Sequence, residues 1–134
     1  SVLKKMNLHN ILVSNRTPKK AISIAQQFSI EALGFSEVNE TTVDFLINAT
    51  SVGMAPDLEN CVFSLDQIRK SKFVLDVPTN PIETKLIRLA DSCGKQIIPG
   101  HLISLHQAAR QFELYTKTRA PLEAMKSAML TLLS

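Results

Sequence analysis

The feature that most constrains the fold of this chain is the alternation of short apolar runs with longer amphipathic stretches along its whole length. Continuous apolar runs bounded by turn residues are typical of strands that are covered on both faces. Apolar residues that recur every three or four positions indicate helices with one buried face. Because strands that alternate with helices form βαβ units, the sequence predicts an α/β fold with a doubly wound parallel sheet.

The apolar runs place the predicted strands at Asn10–Ser14, Ile30–Leu33, Val43–Ile47, Phe73–Val77 and Gln96–Ile98. Helices are predicted between and after them, at Pro18–Phe28, Leu65–Lys70, Glu83–Cys93, Leu102–Tyr115 and Leu122–Leu133, and Val2, Leu3 and Met6 resemble the tail of another. In a doubly wound sheet, ligands bind beyond the carboxyl ends of the strands. These strand ends are therefore the places to search for chemistry.

Some of these predictions extend to single residues. Thr17 followed by Pro18 is typical of a helix N-cap with proline at the first helical position. Gly94 stands where a glycine that ends a helix belongs. The last but one helix is expected to bury a stripe of apolar residues, formed by Leu102, Leu105, Ala109, Phe112 and Tyr115.

Composition excludes several classes of protein. The length of 134 residues is that of one domain, and the apolar fraction of 45% is sufficient for a packed core. The net charge of +3 comes from small scattered groups and not from a basic run, which argues against nucleic-acid binding. No apolar stretch is long enough to cross a membrane, and no signal-peptide pattern is present. Cys61 and Cys93 lack a paired spacing, so we expect free thiols in a cytoplasmic protein.

The first predicted strand ends in Asn15-Arg16-Thr17, and Lys19 and Lys20 follow in the first helical turn. NAD-binding folds usually have an acidic residue near this place that bonds the ribose hydroxyls, and here there is none. The planar fork of Arg16, the lysine and the helix N-terminus all favour an anion, and the 2′-phosphate of NADP would fit. A helix start with solvated basic residues explains this segment, taken alone, equally well.

The strand Val43–Ile47 ends in the segment Asn48-Ala49-Thr50-Ser51-Val52-Gly53-Met54. Its small and hydroxyl side chains would let a ligand approach the backbone closely. The same residue types are common in turns for local reasons, so an ordinary turn is the better explanation of this segment taken alone.

The strand Phe73–Val77 ends in Pro78-Thr79-Asn80-Pro81, in which two prolines predict a rigid loop. Asp76 lies inside this apolar strand. A buried carboxylate must be paired or hydrogen-bonded, so Asp76 is a candidate for holding a neighbouring loop and need not take part in chemistry.

Two histidines and a glutamine belong to the helix after Gly100. His101 and His106 are five positions apart, which places them on different helix faces and argues against a joint metal site. Each is expected to have a surface or core role. Gln107 could reach a polyhydroxylated ligand, although a glutamine on a helix is usually just solvated.

Taken together, and in the order in which they occur, these segments resemble the NADP-binding domain of the shikimate dehydrogenase family over nearly the whole chain. Asn15-Arg16-Thr17 with Lys20 is similar to the 2′-phosphate clamp of that family, and Asn48–Met54 with Pro56 is similar to its cofactor loop. The spacing Asp…Pro-x-x-Thr-x-Leu of the family is matched by Asp76, Pro81, Thr84 and Leu86. Its closing helix is similar to Gly100, Gln107-Ala108-Ala109 and Gln111–Thr116. After that helix, Ala120-Pro121 and Met125 also match the family pattern.

The resemblance implies an enzyme that reversibly reduces 3-dehydroshikimate to shikimate with NADPH, in aromatic amino-acid biosynthesis. It implies NADP contacts at Asn15, Arg16, Thr17, Lys20, Asn48, Ala49, Thr50, Ser51, Val52, Val77 and Gly100. Val77 and Gly100 would lie near the nicotinamide. Gln107 would bond the substrate hydroxyls, and Thr79 would face the substrate.

The chain also departs from the family pattern. Thr79 stands where the family often has a tyrosine that contacts substrate, and Gly100-His101-Leu102-Ile103 replaces Gly-Leu-Gly-Met. The catalytic lysine and aspartate of the family belong to an N-terminal substrate domain that residues 1–134 do not contain, so no catalytic residue is assigned here. The first strand and the Gly-rich turn of the nucleotide fold are also missing. Their absence would leave two unpaired strand edges, through which copies of the chain could associate.

Three alternatives stay open from the sequence alone. One is a paralogue that uses quinate or another substrate. Another is a different NADP enzyme, such as a glutamyl-tRNA reductase, although Gln107–Thr116 argues against it. The third is a non-catalytic nucleotide-binding or interaction module.

Overall fold

The structure, a computed structural model, describes residues 2–8 and 10–133 of the chain. Strands and helices alternate as α1 (Val2–Lys5), β1 (Leu12–Val13), α2 (Pro18–Phe28), β2 (Glu31–Ala32), β3 (Phe45–Asn48), α3 (Leu65–Lys70), β4 (Phe73–Asp76), α4 (Lys85–Ser92), β5 (Gln96–Pro99), α5 (Gly100–Thr116) and α6 (Leu122–Leu133). The chain divides into two compact units, residues 1–41 and residues 42–134. The α/β class predicted from the sequence is confirmed.

The first unit is a single parallel strand pair with its crossover helix. Leu12 lies opposite Glu31, and Val13 lies opposite Ala32. Parallel strands cannot be joined by a tight turn, and α2 provides the connection. The apolar residues that α2 buries are Ala21 and Ala25, which share one face because they are four positions apart. This unit therefore has a small core.

The second unit contains a parallel sheet in the order β3-β4-β5. One face of this sheet, with Leu46 and Val74, packs against Ile68 of α3 and against Leu86 and Ala90 of α4. These residues form the core of the unit, because each is at most 4% exposed.

The register of the sheet brings three strand ends together. Asn48 pairs with Asp76, and Asp76 pairs with Pro99, so the last residues of β3, β4 and β5 stand side by side. The loops that carry most of the predicted site residues therefore leave the sheet at one edge.

Strand edges and faces differ in part from expectation. Within residues 2–8 and 10–133, β1 pairs only with β2 and β3 pairs only with β4, so each has one unpaired edge, as predicted. Four strands are shorter than predicted; β1, for example, is Leu12–Val13 and not Asn10–Ser14. By contrast, β5 extends one residue further than predicted, to Pro99. In β3, Phe45 and Ile47 are 40% and 37% exposed, so within this unit the strand is fully covered on one face only.

The helices match their predicted positions closely, with one error in burial. Pro18–Phe28, Leu65–Lys70 and Leu122–Leu133 have the predicted bounds, and Gly94 adopts the left-handed conformation expected after a helix. The prediction that Tyr115 belongs to a buried stripe is wrong, because its side chain is 86% exposed. Helical spacing fixes the face on which a residue lies, but a face is buried only where another element packs against it.

Candidate functional site

The turn between β1 and α2 is shaped by Asn15. Its Oδ1 accepts a hydrogen bond of 2.8 Å from the backbone N–H of Thr17, and Pro18 then occupies the first helical position. Thr17 is the N-cap residue, as predicted, but its side chain makes no capping hydrogen bond. The backbone N–H of Lys20 instead donates to the carbonyl oxygen of Thr17 at 3.0 Å, so the hydroxyl is not needed by the helix.

The basic side chains of this turn are exposed and unengaged. Arg16, Lys19 and Lys20 make no side-chain hydrogen bond or ion pair with the described part of the chain, and the first turn of α2 contains no acidic residue. The partial positive charge of the helix N-terminus adds to theirs. The turn can therefore bind an anion without breaking any existing contact.

A shallow pocket of about 160 Å³ lies beside the same turn. Its lining is mostly apolar and comprises Asn15, Pro18, Ala21, Ile22, Ala32, Leu33, Gly34 and Phe35. Leu33, Gly34 and Phe35 were not among the predicted site residues. The signal that could have found them is their position directly after the second short strand, where a parallel fold also places ligand-contacting residues.

Asn48 is the centre of the second strand end and is almost completely buried. Its Nδ2 donates to Asp76 Oδ1 at 2.7 Å and to the carbonyl oxygen of Val52 at 3.1 Å. Its Oδ1 accepts from the backbone N–H of Thr50 at 3.0 Å and from the Thr50 hydroxyl at 2.6 Å. An asparagine amide has two donors and two acceptor lone pairs, so the side chain of Asn48 is fully engaged and folds the loop that follows β3.

Asp76 lies at the end of β4 and is fully buried. Besides Asn48, it accepts a short hydrogen bond from the hydroxyl of Thr84. Thr84 in turn caps α4, because its Oγ1 accepts from the backbone N–H of Ile87 at 3.2 Å. The prediction that Asp76 would be hydrogen-bonded is confirmed.

Burial changes the acidity of two groups in this region. It raises the pKa of the Asp76 carboxyl above its ordinary value, against the opposing effect of the hydrogen bonds from Thr84 and Asn48. Burial is also the main reason that the pKa of the Cys61 thiol is raised, with a smaller contribution from the charge of Asp76.

The far part of the loop after β3 is fastened to α4. Gly53 has a φ of +94°, and a side chain there would begin 3.5 Å from Cβ of Thr84. Lys85 Nζ donates to the carbonyl oxygen of Glu59 at 2.7 Å, and Arg88 forms a 3.1 Å ion pair with the carboxylate of Glu59. These last contacts are exposed and individually weak.

Gly100 opens α5 directly against the loop after β4. A Cβ at this position would overlap the carbonyl oxygens of Val77 and Pro78, so only glycine fits. Val77 and Gln107 are exposed, and Thr79 is half-buried. Nδ1 of His101 is buried without a hydrogen-bond partner among the described residues.

The structure thus gathers the predicted residues into two groups, one in each unit. Asn15, Arg16, Thr17 and Lys20 share the turn before α2. The remaining predicted residues belong to the strand ends and to α5 of the second unit: Asn48, Ala49, Thr50, Ser51, Val52, Val77, Thr79, Gly100 and Gln107.

Neither a membrane-crossing helix nor a metal cluster occurs in the described part of the chain. Within residues 2–8 and 10–133, no helix combines the length and apolar character that a membrane crossing requires. The same residues contain no cluster of three or more His, Cys, Asp or Glu side chains that could hold a metal ion.

Parallel strands with candidate ligand loops at their carboxyl ends define a Rossmann-like domain, and solved structures agree. A shikimate 5-dehydrogenase-like protein superposes with a TM-score of 0.86 at 29% identity, over 94% of this chain and 48% of that one. Shikimate 5-dehydrogenase of Thermus thermophilus, in complex with NADP(H) and shikimate, superposes with a TM-score of 0.82 at 25% identity, over 96% and 48% of the two chains.

The chain belongs to the shikimate dehydrogenase family. The sequence profile described as "Shikimate 5'-dehydrogenase C-terminal domain" matches residues 101–130. Shikimate dehydrogenase (NADP(+)) of Methanosarcina mazei is 34% identical over 130 residues, which are 90% of this chain and 46% of that protein. The chain therefore spans about half the length of the curated relatives that it matches.

Proposed function

We propose that this chain is the NADP-binding domain of a shikimate dehydrogenase that reversibly reduces 3-dehydroshikimate to shikimate with NADPH. The observation that carries the proposal is the exposed turn of Arg16 and Lys20 at a strand carboxyl end, without internal partners among the described residues, in a member of this family. Relatives named for NADP(+) support the choice of cofactor.

In this proposal, the turn before α2 selects NADP over NAD. The guanidinium of Arg16 would bind the 2′-phosphate through paired hydrogen bonds, and Lys20 and the hydroxyl of Thr17 would add further donors. Asn15 would keep the turn in shape through its bond to Thr17. No carboxylate in the first turn of α2 would repel the phosphate.

The strand ends of the second unit would bind the rest of the dinucleotide. Ala49, Thr50 and Ser51 are exposed and would lie along the dinucleotide with Val52. The buried side chain of Asn48 would hold their loop in shape. Val77 and Gly100 would border the nicotinamide, which supplies or accepts the hydride when bound. The absence of a side chain at Gly100 keeps α5 close to the Val77 backbone.

Gln107 and Thr79 would contact the substrate. An exposed amide at Gln107 can both donate to and accept from substrate hydroxyls. The lysine and aspartate that transfer the proton would come from a substrate domain outside residues 1–134, so hydride transfer would need both domains. We further propose that the enzyme acts in the cytoplasm as part of aromatic amino-acid biosynthesis. We also propose that its copies associate, either as a homodimer or through the unpaired strand edges.

The test is oxidation of shikimate by the full-length gene product, followed by the absorbance of the reduced cofactor. Quinate in place of shikimate and NAD in place of NADP are the parallel controls. We expect the fastest reaction with shikimate and NADP. Turnover of quinate alone would transfer the proposal to another substrate, and failure to bind NADP would overturn it.

A further inference from the structure

A buried chain of side chains joins the two strand ends and the start of α4. Asn48 at the end of β3, Asp76 at the end of β4 and Thr84 before α4 are each at most 1% exposed. Asp76 accepts from both of the others, one on each carboxyl oxygen. The side chains of Asp76 and Thr84 are fully buried, so we assign this network to shaping the site.

We propose that Asp76 is a positioning residue for the loop Asn48–Gly53, acting through Asn48 and Thr84. The inference rests on the proposed function, because that loop is the segment assigned to the dinucleotide. Asp76 itself touches neither cofactor nor substrate.

The chemistry of the carboxylate fixes which way the Asn48 amide points. A carboxylate accepts hydrogen bonds and has no proton to donate, so it must face Nδ2 of Asn48 and not Oδ1. Oδ1 then points to Thr50, where it accepts two hydrogen bonds. The reversed amide would set oxygen against carboxylate and would leave the Thr50 N–H facing another donor.

The orientation of the Asn48 amide determines further hydrogen bonds within the loop. The hydroxyl of Thr50, held by Asn48, accepts from the backbone N–H of Val52 at 3.1 Å. Nδ2 of Asn48 binds the carbonyl oxygen of the same Val52. The exposed residues Thr50 and Ser51 are therefore placed by bonds that begin at the carboxylate.

Thr84 fastens the other side of the network. Its hydroxyl is shared between Asp76 and the first turn of α4. A Cβ added to Gly53, at the end of the loop, would lie 3.5 Å from Cβ of Thr84. A change at Thr84 should therefore alter the loop even though Thr84 is buried beneath it.

The experiment compares three variants of the full-length protein: Thr84→Val, which removes the hydroxyl at nearly constant shape, Thr84→Ser, which keeps it, and Ser64→Ala. Ser64 caps α3 in the same way, through the N–H of Gln67, in a different helix from the one that Thr84 caps. It controls for the loss of a helix cap alone. The readouts are the KM for NADP, the KM for shikimate, kcat and Tm.

For Thr84→Val we expect the KM for NADP to rise about tenfold, since displacement of binding groups by about 1 Å can cost as much as 100-fold. The KM for shikimate should change less, by about twofold at most, because the residues assigned to the substrate, Gln107 and Thr79, are not part of this network and should not be misplaced. Thr84→Ser should restore the KM for NADP, and Ser64→Ala should lower Tm and leave both KM values unchanged.

An unchanged KM for NADP in Thr84→Val, with a lowered Tm, would overturn the inference and leave the network a purely structural role. If Thr84→Val does not fold, the isosteric Asp76→Asn provides the same comparison, because its amide permits the reversed orientation of Asn48. Wild-type protein without NADP-dependent activity would instead refute the proposed function, so the two failures are distinguishable.

Discussion

The two units of the chain share one plan, a parallel strand followed by a helix, but they use their side chains differently. Residues 42–134 bury a connected core around Ile68 and Val74, and their polar strand-end groups bond to one another. In the described part of residues 1–41, the buried apolar residues are Ala21 and Ala25, and the basic strand-end groups have no partner. Groups that are already engaged can only shape a site, whereas unengaged groups at a strand end are available to a ligand.

The same contrast is visible in the two threonines that begin α2 and α4. Both occupy the N-cap position with an extended backbone. The Thr84 hydroxyl donates to Asp76 and accepts from Ile87, but the Thr17 hydroxyl makes no capping bond. An N-cap threonine therefore has a structural role at Thr84, whereas at Thr17 its hydroxyl is available to a ligand.

Removal of apolar side chains should give the largest difference between the units. Ile68→Ala should lower the free energy of unfolding by about 2–5 kcal/mol, because Ile68 is fully buried and a cavity would remain. Ile22→Ala, at a position that is 48% exposed, should cost less than about 1 kcal/mol. Urea unfolding of both variants measures this, and equal losses would contradict the contrast between the cores.

Removal of the two threonine hydroxyls should give a smaller difference. Thr84→Val should cost about 1–3 kcal/mol of unfolding free energy, since it leaves a buried carboxylate oxygen and the N–H of Ile87 without a partner. Thr17→Val should stay within about 0.5 kcal/mol of wild type, as exposed substitutions usually do. A comparable loss at Thr17, again from urea unfolding, would show that its hydroxyl stabilises α2.

The smallest expected effect is a dependence of stability on pH. Burial raises the pKa of Asp76 above 3.8, so the folded carboxyl keeps its proton to a higher pH than the unfolded one. Its contribution to stability is fully present below the unfolded pKa and is lost as the pH rises through the folded pKa. The pKa of the nearby Cys61 thiol is also raised above its ordinary value. This thiol therefore does not titrate in the acidic range in which Asp76 loses its proton.

Wild type and Asp76→Asn should therefore be compared by urea unfolding from pH 4 upward. The advantage of wild type over the variant should shrink as the pH rises and then level off. An advantage that grows with pH would mean that the two hydrogen bonds outweigh burial in setting the pKa of Asp76.

Much of this fold follows from sequence patterns because spacing reports directly on local structure. Apolar periodicity located α2, α3 and α6, and an aspartate inside an apolar strand was enough to predict that Asp76 is hydrogen-bonded. Periodicity failed at Tyr115, because the burial of a helix face depends on what packs against it.

The candidate site was only partly predictable for the same reason. The strand-end segments were recognisable, but their division into engaged and unengaged groups was not. Asn48 and Ala49 are neighbours in one segment, yet the amide of Asn48 is completely used by contacts that include a residue 28 positions away. Such long-range partners are fixed by strand register and leave no local pattern.

The central claim is that the unengaged turn before α2 selects the 2′-phosphate of NADP. The direct test is calorimetric titration of the full-length protein and of Arg16→Ala with NADP and NAD, with Lys19→Ala as the control for loss of one charge from the same turn. We expect Arg16→Ala to weaken NADP by roughly 10- to 150-fold, which corresponds to about 1.5–3 kcal/mol for a charged hydrogen bond. The affinity of Arg16→Ala for NAD should change little, and Lys19→Ala should weaken NADP binding much less than Arg16→Ala does. Equal losses of NADP and NAD affinity in Arg16→Ala would contradict the claim.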